Sequence, residues 1–419
     1  MKPIHRRNFI ETLGLTGVGV LLSPLLIHKR VLAYTGLQKT NQASSSLGKS
    51  SPKTFVLIIQ RGAMDGLSLL PAISDPHYLA LRPNIGLKPG QGSDSPLSVD
   101  GQFGLHPAMT ALKPFWDEKT LAFIQQAGSP DSTRSHFDAQ DFLESGTPGR
   151  KTTTDGFLNR ALQALEPSSM RNALRGVAMQ PSMPRALQGR TAALSMGALR
   201  DFNLNSGEGF ESMYSQAADR IFRGAGQEAF ESLRSVADLS KANNKDDEHY
   251  PKTQIAKRLR DIASLIKANL GVQIAVTDIG GWDTHIYQGA AHGQLADRFK
   301  ELSEALAAFA RDLGPKFSDV CVACTTEFGR TVKENGTRGT DHGHGSVMTI
   351  LGGSVQGGKV YGKWKGLAKS ELFEGRDLPV TTDYRDVFSE LFARHLGMKD
   401  LANVFPGHLS SESKWLGLI

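Results

Sequence analysis

Cysteine is almost missing from this chain: 419 residues contain two, Cys321 and Cys324. Their C-x-x-C spacing invites a redox or metal reading. They lie, however, in the apolar run SDVCVACTTEF, where residues three apart on a strand point to opposite faces. They read as buried thiols without a function, and a disulfide between them would break the strand. There is no tandem repeat and no G-x-G-x-x-G after a strand, so the sequence offers neither a solenoid nor a dinucleotide fingerprint. Past residue 33 no apolar run approaches the roughly 20 residues of a membrane span, and no stable span is expected. The net charge of +6 is partly carried by Lys2, Arg6, Arg7, Lys29 and Arg30. What remains is too small a balance to argue for nucleic acid.

Those early cations belong to a recognisable segment. HRRNFIETLGLTGVGVLLSPLLIHKR (5–30) sets the paired Arg6 and Arg7 ahead of a Gly- and Leu-rich apolar stretch, and VLA (31–33) follows as a small-residue cleavage pattern. Twin arginines before a moderate apolar core read as a Tat export signal. The chain is therefore expected to meet the Tat translocon and to work in the periplasm or outside the cell. Residues 34–53, rich in Ser, Gln, Lys and Gly, read as a flexible linker. At 39% hydrophobic and 21% charged, the rest suits one large α/β domain over 54–419.

Short continuous apolar runs predict buried strands at FVLIIQ (55–60), LAFIQQ (121–126), VQIAVTDI (272–279), DVCVACTT (319–326) and SVMTILGG (346–353). GVAMQ (176–180) and TAALSM (191–196) are weaker candidates. Helical patterns fill much of 207–270, with a polar break near 243–251, and recur at 289–313 and 384–396. SHFDAQDFLESG (135–146) opens on an N-cap serine and closes on glycine. Strand, loop and helix alternating in this way predict a doubly wound, mostly parallel sheet.

Acids and imidazoles follow three of these strands. In GGWDTH (280–285), Asp283 and His285 stand two apart and face one side of an extended segment, so both can hold one cation. GTDHGHG (339–345) pairs His342 with His344 in the same way, with Asp341 as a further ligand or as the group that orients an imidazole. RGAMDG (61–66) supplies Asp65, and EFGRT (327–331) supplies Glu327 together with Arg330, whose fork suits phosphate or sulfate. Carboxylate with imidazole, and no lysine in the loop, suits Zn, Mn or Fe better than Ca. In STRSHFDAQ (132–140), Ser135 at a helix start is a capping residue or a nucleophile, with Arg134 and His136 placed to contact an anion. His106, His292 and His408 show no partner and read as surface residues.

In this order, FVLIIQRGAMDGLSLLP, RSHFDAQDFLESG, GGWDTH, EFGRT, GTDHGHGSVMTILGG, GGKVYGKWKGL and TTDYRDVF resemble one family over nearly the whole chain. It is the exported bacterial family of domain of unknown function 1501, placed in the alkaline-phosphatase/sulfatase-like superfamily. The resemblance implies a three-layer α/β fold, a mostly parallel central sheet with helices on both faces, alkaline-phosphatase-like in arrangement. It also implies one or two divalent metal ions (Zn, Mn or similar) at the strand ends and a nucleophile that opens a helix. Asp65 then stands for the first-strand metal acid, Ser135 for the nucleophile region, and Asp283 with His285 for the middle pair. The Asp-His-Gly of the later strand falls either on EFG, with Phe328 where a histidine is expected, or on GTDHGHG. The expectation is a metal-dependent hydrolase of phosphate or sulfate esters acting on an anionic small-molecule or envelope substrate. The alternative is a non-catalytic envelope binding or assembly protein that keeps the fold and an ion.

Overall fold

The computed structural model describes residues 52–165, 173–201, 234–241 and 249–419. The expected leader, nearly all of the linker and the helical stretch 207–233 lie outside the described residues, as does most of the polar break near 243–251. Among the described residues eleven strands are present: β1 (Thr54–Gln60), β2 (Leu97–Ser98), β3 (Gly104–Leu105), β4 (Leu121–Gly128), β5 (Gly176–Met179), β6 (Leu194–Met196), β7 (Ile274–Ile279), β8 (Val320–Thr325), β9 (Ser346–Gly352), β10 (Lys359–Tyr361) and β11 (Thr382–Asp383). Apart from the small β2–β3 pair, they form a single sheet in the order β10-β4-β9-β8-β1-β7-β5-β6, with β11 beside β4.

β1 lies at the middle because its residues, all buried, tolerate no water on either face. Leu57 pairs in register with Val276 of β7 on one side and Ala323 of β8 on the other, both parallel. Its side chains then alternate between two cores. Phe55, Leu57 and Ile59 pack with α2 (Phe157–Ala164) and α5 (Tyr384–Arg394), whereas Val56 and Ile58 pack with α3 (Gln254–Lys267) and α4 (Gln294–Leu313). The result is an α/β fold of three layers. Cys321 and Cys324 are free, fall in opposite cores, and have their thiols pushed up to about 12 by burial.

One helix boundary needs correction, and one expected strand has a direction that its apolar pattern does not specify. The helix expected from residue 289 begins at Gln294, after a looped approach. SVMTILGG forms β9, but it runs antiparallel to both β8 and β4. The cause is the connection: residues 326–345 hold no helix that would carry the chain across the sheet. The chain leaves the carboxyl end of β8, stays at that edge, and must re-enter the sheet in reverse.

His106, expected at the surface, is buried. Its Nε2–H donates to the Ala290 carbonyl at 2.9 Å, and its Nδ1 accepts from the Ala108 N–H at 3.1 Å, which fixes a neutral ring. His395, equally buried, bonds the Thr54 carbonyl at 3.0 Å and ties the end of α5 to the start of β1. His408, also expected at the surface, pairs instead with Asp386 at 2.8 Å. Burial pushes both His106 and His395 down to about 4, against the pull of those carbonyls. The unfolded chain takes up protons near the ordinary value of 6.5, before the folded chain does. Stability is therefore complete above that value and is lost as pH falls towards 4, by about 3 kcal/mol per histidine. We expect the urea midpoint to fall between pH 7 and 4.5 and the fall to be shallower in His106→Gln. Identical slopes would show that these rings do not set the acid limb.

Candidate metal centre

Because β1, β4, β7 and β8 run the same way, the loops after them all leave one edge of the sheet, where open α/β sheets place their chemistry. β4 delivers α1 (His136–Ser145), which begins after the cap Ser135 and ends on the left-handed Gly146. β7 delivers Asp283 and His285, and the long return from β8 to β9 delivers Glu327, Arg330, Asp341 and His342. These loops press closely on one another. Gly62 has φ +116°, and a Cβ there would lie 2.8 Å from the Asp283 nitrogen. At Gly339 a Cβ would meet the His285 carbonyl oxygen at 2.2 Å, so only glycine lets the 339–345 turn sit against GGWDTH.

His136, Asp283 and His342 bring one ligand atom each to a common point. His136 Nε2 is 3.0 Å from His342 Nε2 and 3.6 Å from Asp283 Oδ2. His342 Nε2 is 3.3 Å from Asp283 Oδ1. His285 joins from the more exposed side, its Nε2 3.1 Å from His342 Nε2 and 3.0 Å from Asp283 Oδ1.

The other nitrogen of each ring is already spoken for. His136 Nδ1 meets Glu327 Oε1 at 2.8 Å, His342 Nδ1 meets the Arg134 carbonyl at 2.9 Å, and His285 Nδ1 meets Asp341 Oδ1 at 3.3 Å. All three partners only accept, so every Nδ1 carries its hydrogen and every Nε2 of a neutral ring presents a lone pair. Converging lone pairs beside a carboxylate repel unless a proton or a metal cation sits among them. Ligands at 2.0–2.1 Å from a tetrahedral Zn²⁺ lie about 3.3 Å apart, and the observed separations of 3.0–3.6 Å bracket that spacing. The donor set fits a borderline divalent ion.

The surroundings tune these groups. Burial would raise the Asp283 carboxyl, but Arg330, donating to Oδ1 at 2.6 Å, holds it below its usual value. Glu327 is buried and desolvation again pushes upward. Hydrogen bonds from His136, Gln140 Nε2 and the Gly62 N–H outweigh it and keep the carboxylate ionised. The Glu327 contact in turn raises His136 against its own burial, whereas burial lowers His342. Phe328 lies under His136 with ring centres 4.9 Å apart and planes at 28°, which accounts for the phenylalanine in EFG.

Several expected residues take other roles. Glu327 and Asp341 hold imidazoles by Nδ1 and lie outside the converging donor group. Asp65 is fully buried and outside the converging donor group: Arg82 grips both its oxygens at 2.7 and 3.1 Å, and Gln288 and Ser68 complete its shell. His344 does not project with His342. Bonds from the Gly329 N–H to its carbonyl and from the Gly345 N–H to Leu378 turn it to lie against Phe373, at 4.4 Å. Arg134 is bound by Asp377 and Glu374, and Arg330 by Asp283 and Thr340, so neither guanidinium is free for an anion. Ser135 acts as the cap, accepting from the Asp138 N–H at 3.5 Å with its side chain exposed. His136, assigned from sequence only to anion contact, is a central donor. The signal for it was a histidine at the first helical position beyond a buried strand.

Replacing Glu327 by glutamine keeps an oxygen for His136 but removes the charge that polarises the ring. We expect Glu327→Gln to weaken zinc binding about 10- to 100-fold, read by competition with a chromophoric chelator. His344→Ala should leave that affinity unchanged. Equal losses in both variants would mean that the ion binds elsewhere.

A family model described as a protein of unknown function (DUF1501) matches residues 52–407. No curated protein matches the chain. Among solved structures, the chain is similar to the C-terminal periplasmic domain of EcEptC from Escherichia coli in complex with Zn, at 9% identity, 73% of this chain, 74% of that one and a TM-score of 0.36. A protein in the alkaline phosphatase superfamily from Vibrio parahaemolyticus is similar at 9% identity, over 75% of this chain and 64% of that one, with a TM-score of 0.33. The PsFucS1 sulfatase from Pseudoalteromonas sp. is similar at 11% identity, over 85% and 69%, with a TM-score of 0.36. Likenesses this distant say nothing about chemistry. The family match, by contrast, spans most of the sequence and takes in every loop that builds the centre: the chain is a member of the DUF1501 family.

Proposed function

We propose that this chain is an exported, metal-dependent hydrolase of phosphate or sulfate esters. One observation carries the reading: three imidazoles with committed Nδ1 hydrogens turn their Nε2 atoms towards one carboxylate. A divalent ion held there would supply Lewis acidity towards an ester oxygen. His136, His342 and Asp283, with His285, are the residues that hold it. Glu327, Asp341 and the Arg134 carbonyl fix the rings, and Arg330 holds the Asp283 carboxyl below its usual value. Among the described residues a single such donor group is present, which favours one ion over two.

Ser135 stands one residue before His136, at the amino end of α1. Its cap bond is long at 3.5 Å, and the helix end favours an alkoxide or a bound anion. Ser135 or a water would supply the attacking oxygen, its proton leaving as the bond to the ester's alcohol oxygen breaks and that alcohol departs protonated. With Arg134 and Arg330 already paired, the first turn of α1 is the part of this chain left to meet the ester's charge. Arg6 and Arg7 ahead of the apolar stretch support Tat export, and no helix among the described residues is long and apolar enough to cross a membrane. An anionic small molecule or envelope ester in the periplasm or beyond suits that location.

The paired arginines favour a second reading, an envelope binding or assembly protein that retains the ion without turnover. The two separate in one experiment. The full chain is expressed with its leader, recovered from periplasm, loaded with zinc or manganese, assayed for bound metal, and screened on aryl phosphates, phosphodiesters and sulfates. We expect about one ion per chain, turnover of at least one ester class, and retention in the cytoplasm when Arg6 and Arg7 are both changed to lysine. Bound metal without turnover would select the binding role. Metal-free protein after loading would remove both readings.

A further inference from the structure

We propose that the anionic ligand of this centre carries an apolar group, seated on Phe137, Ile286 and Tyr287. This rests on the metal-centre reading and adds a substrate class to it. Among the described residues the large hydrophobic side chains left open to solvent are Leu79, Phe137, Ile286, Tyr287 and Leu409. Scattered single exposures are ordinary, but these are not scattered. Phe137, 90% exposed, directly follows His136; Ile286 and Tyr287, 55% and 67% exposed, directly follow His285. Both histidines touch the same atom, His342 Nε2, at 3.0 and 3.1 Å. The apolar residues therefore grow from the two segments that supply donors to one point.

Their exposure is also enforced. Tyr287 holds φ 46°, a left-handed conformation that a bulky residue rarely adopts. Its N–H donates to the Thr337 carbonyl at 2.9 Å and the next N–H donates to Arg338 at 3.0 Å. The segment after His285 is thus strapped to 337–339, with the buried Gln288 as its anchor and Ile286 and Tyr287 left outside. Phe137 sits on the first turn of α1, whose buried face is formed by Ala139, Phe142 and Leu143 instead. Backbone strain of the kind held at Tyr287 clusters at ligand-binding sites, and Phe137, though unstrained on its helix, is exposed beside the same donors. An anion with an alkyl or aryl group fits them: the charged head at the ion and the apolar part on the rim.

The test uses ligands that do not turn over. Methyl-, butyl- and octylphosphonate share a head group and differ only in apolar length. Their binding to the zinc-loaded full chain is measured by calorimetry below any micelle concentration. We expect affinity to rise with length, by up to about fourfold per methylene that becomes buried. Phe137→Ser combined with Tyr287→Ser should flatten that rise while metal content and methylphosphonate affinity hold. Zinc bound and methylphosphonate bound, but no dependence on length, would overturn the apolar rim and leave the centre standing. A dependence untouched by the double variant would overturn it as well, as would zinc bound with no phosphonate affinity. Failure to bind zinc would remove the centre itself and the rim with it.

Discussion

One buried carboxylate holds the site together. Glu327 Oε1 accepts from the Gly62 N–H after β1, from Gln140 and His136 on α1 after β4, and Oε2 takes the Thr326 hydroxyl at the end of β8. A single side chain therefore ties three strand ends together. Because the group is buried, each of those bonds is worth more than it would be in water, and the loss of any one leaves an ionised acid short of a partner. The position and tautomer of His136 follow from it, and the Nε2 of His136 is one corner of the donor set.

The opposite corner is built on the same logic with the sign reversed. The half-exposed Asp283 carboxylate receives the buried Arg330 guanidinium at 2.6 Å, which holds it below its usual value. Arg330 is steadied by Thr340, Thr340 by Gln288, and Gln288 by the Asp65–Arg82 pair in the interior. Each buried charge in this line has a partner of the other sign or a hydrogen-bond donor. That is the condition under which buried ions persist at all. Asp65 serves the centre at a distance, as the far end of this line.

Much of this was legible in the sequence. The strands came from uninterrupted apolar runs, and β1, β4, β5, β7 and β8 lie where those runs lie. The edge of the sheet carrying the site also followed from the sequence, since Glu327 and Asp283 occur just past buried strands and His342 shortly before one. The division of labour was not legible. Spacing of two places His342 and His344 on one side only if the chain is extended, and the bonds at Gly329 and Gly345 turn it between them. Nothing in RGAMDG announces that Arg82, 17 residues on, will claim Asp65. Whether an acid binds an ion or holds an imidazole depends on distances of a few ångströms across loops far apart in sequence, and so Glu327 was read too directly as a ligand, whereas Asp341 takes the second of its two readings and orients an imidazole. The reversal of β9 escaped for a related reason: an apolar run gives a strand its burial but not its direction.

Diffraction from crystals of this chain grown with saturating zinc at neutral pH tests the convergence most directly, through the anomalous signal of the ion. We predict a strong peak within bonding distance of His136 Nε2, His342 Nε2 and the Asp283 carboxylate. Density in which those atoms are joined only by water or by one another, with the zinc elsewhere or missing, would contradict it.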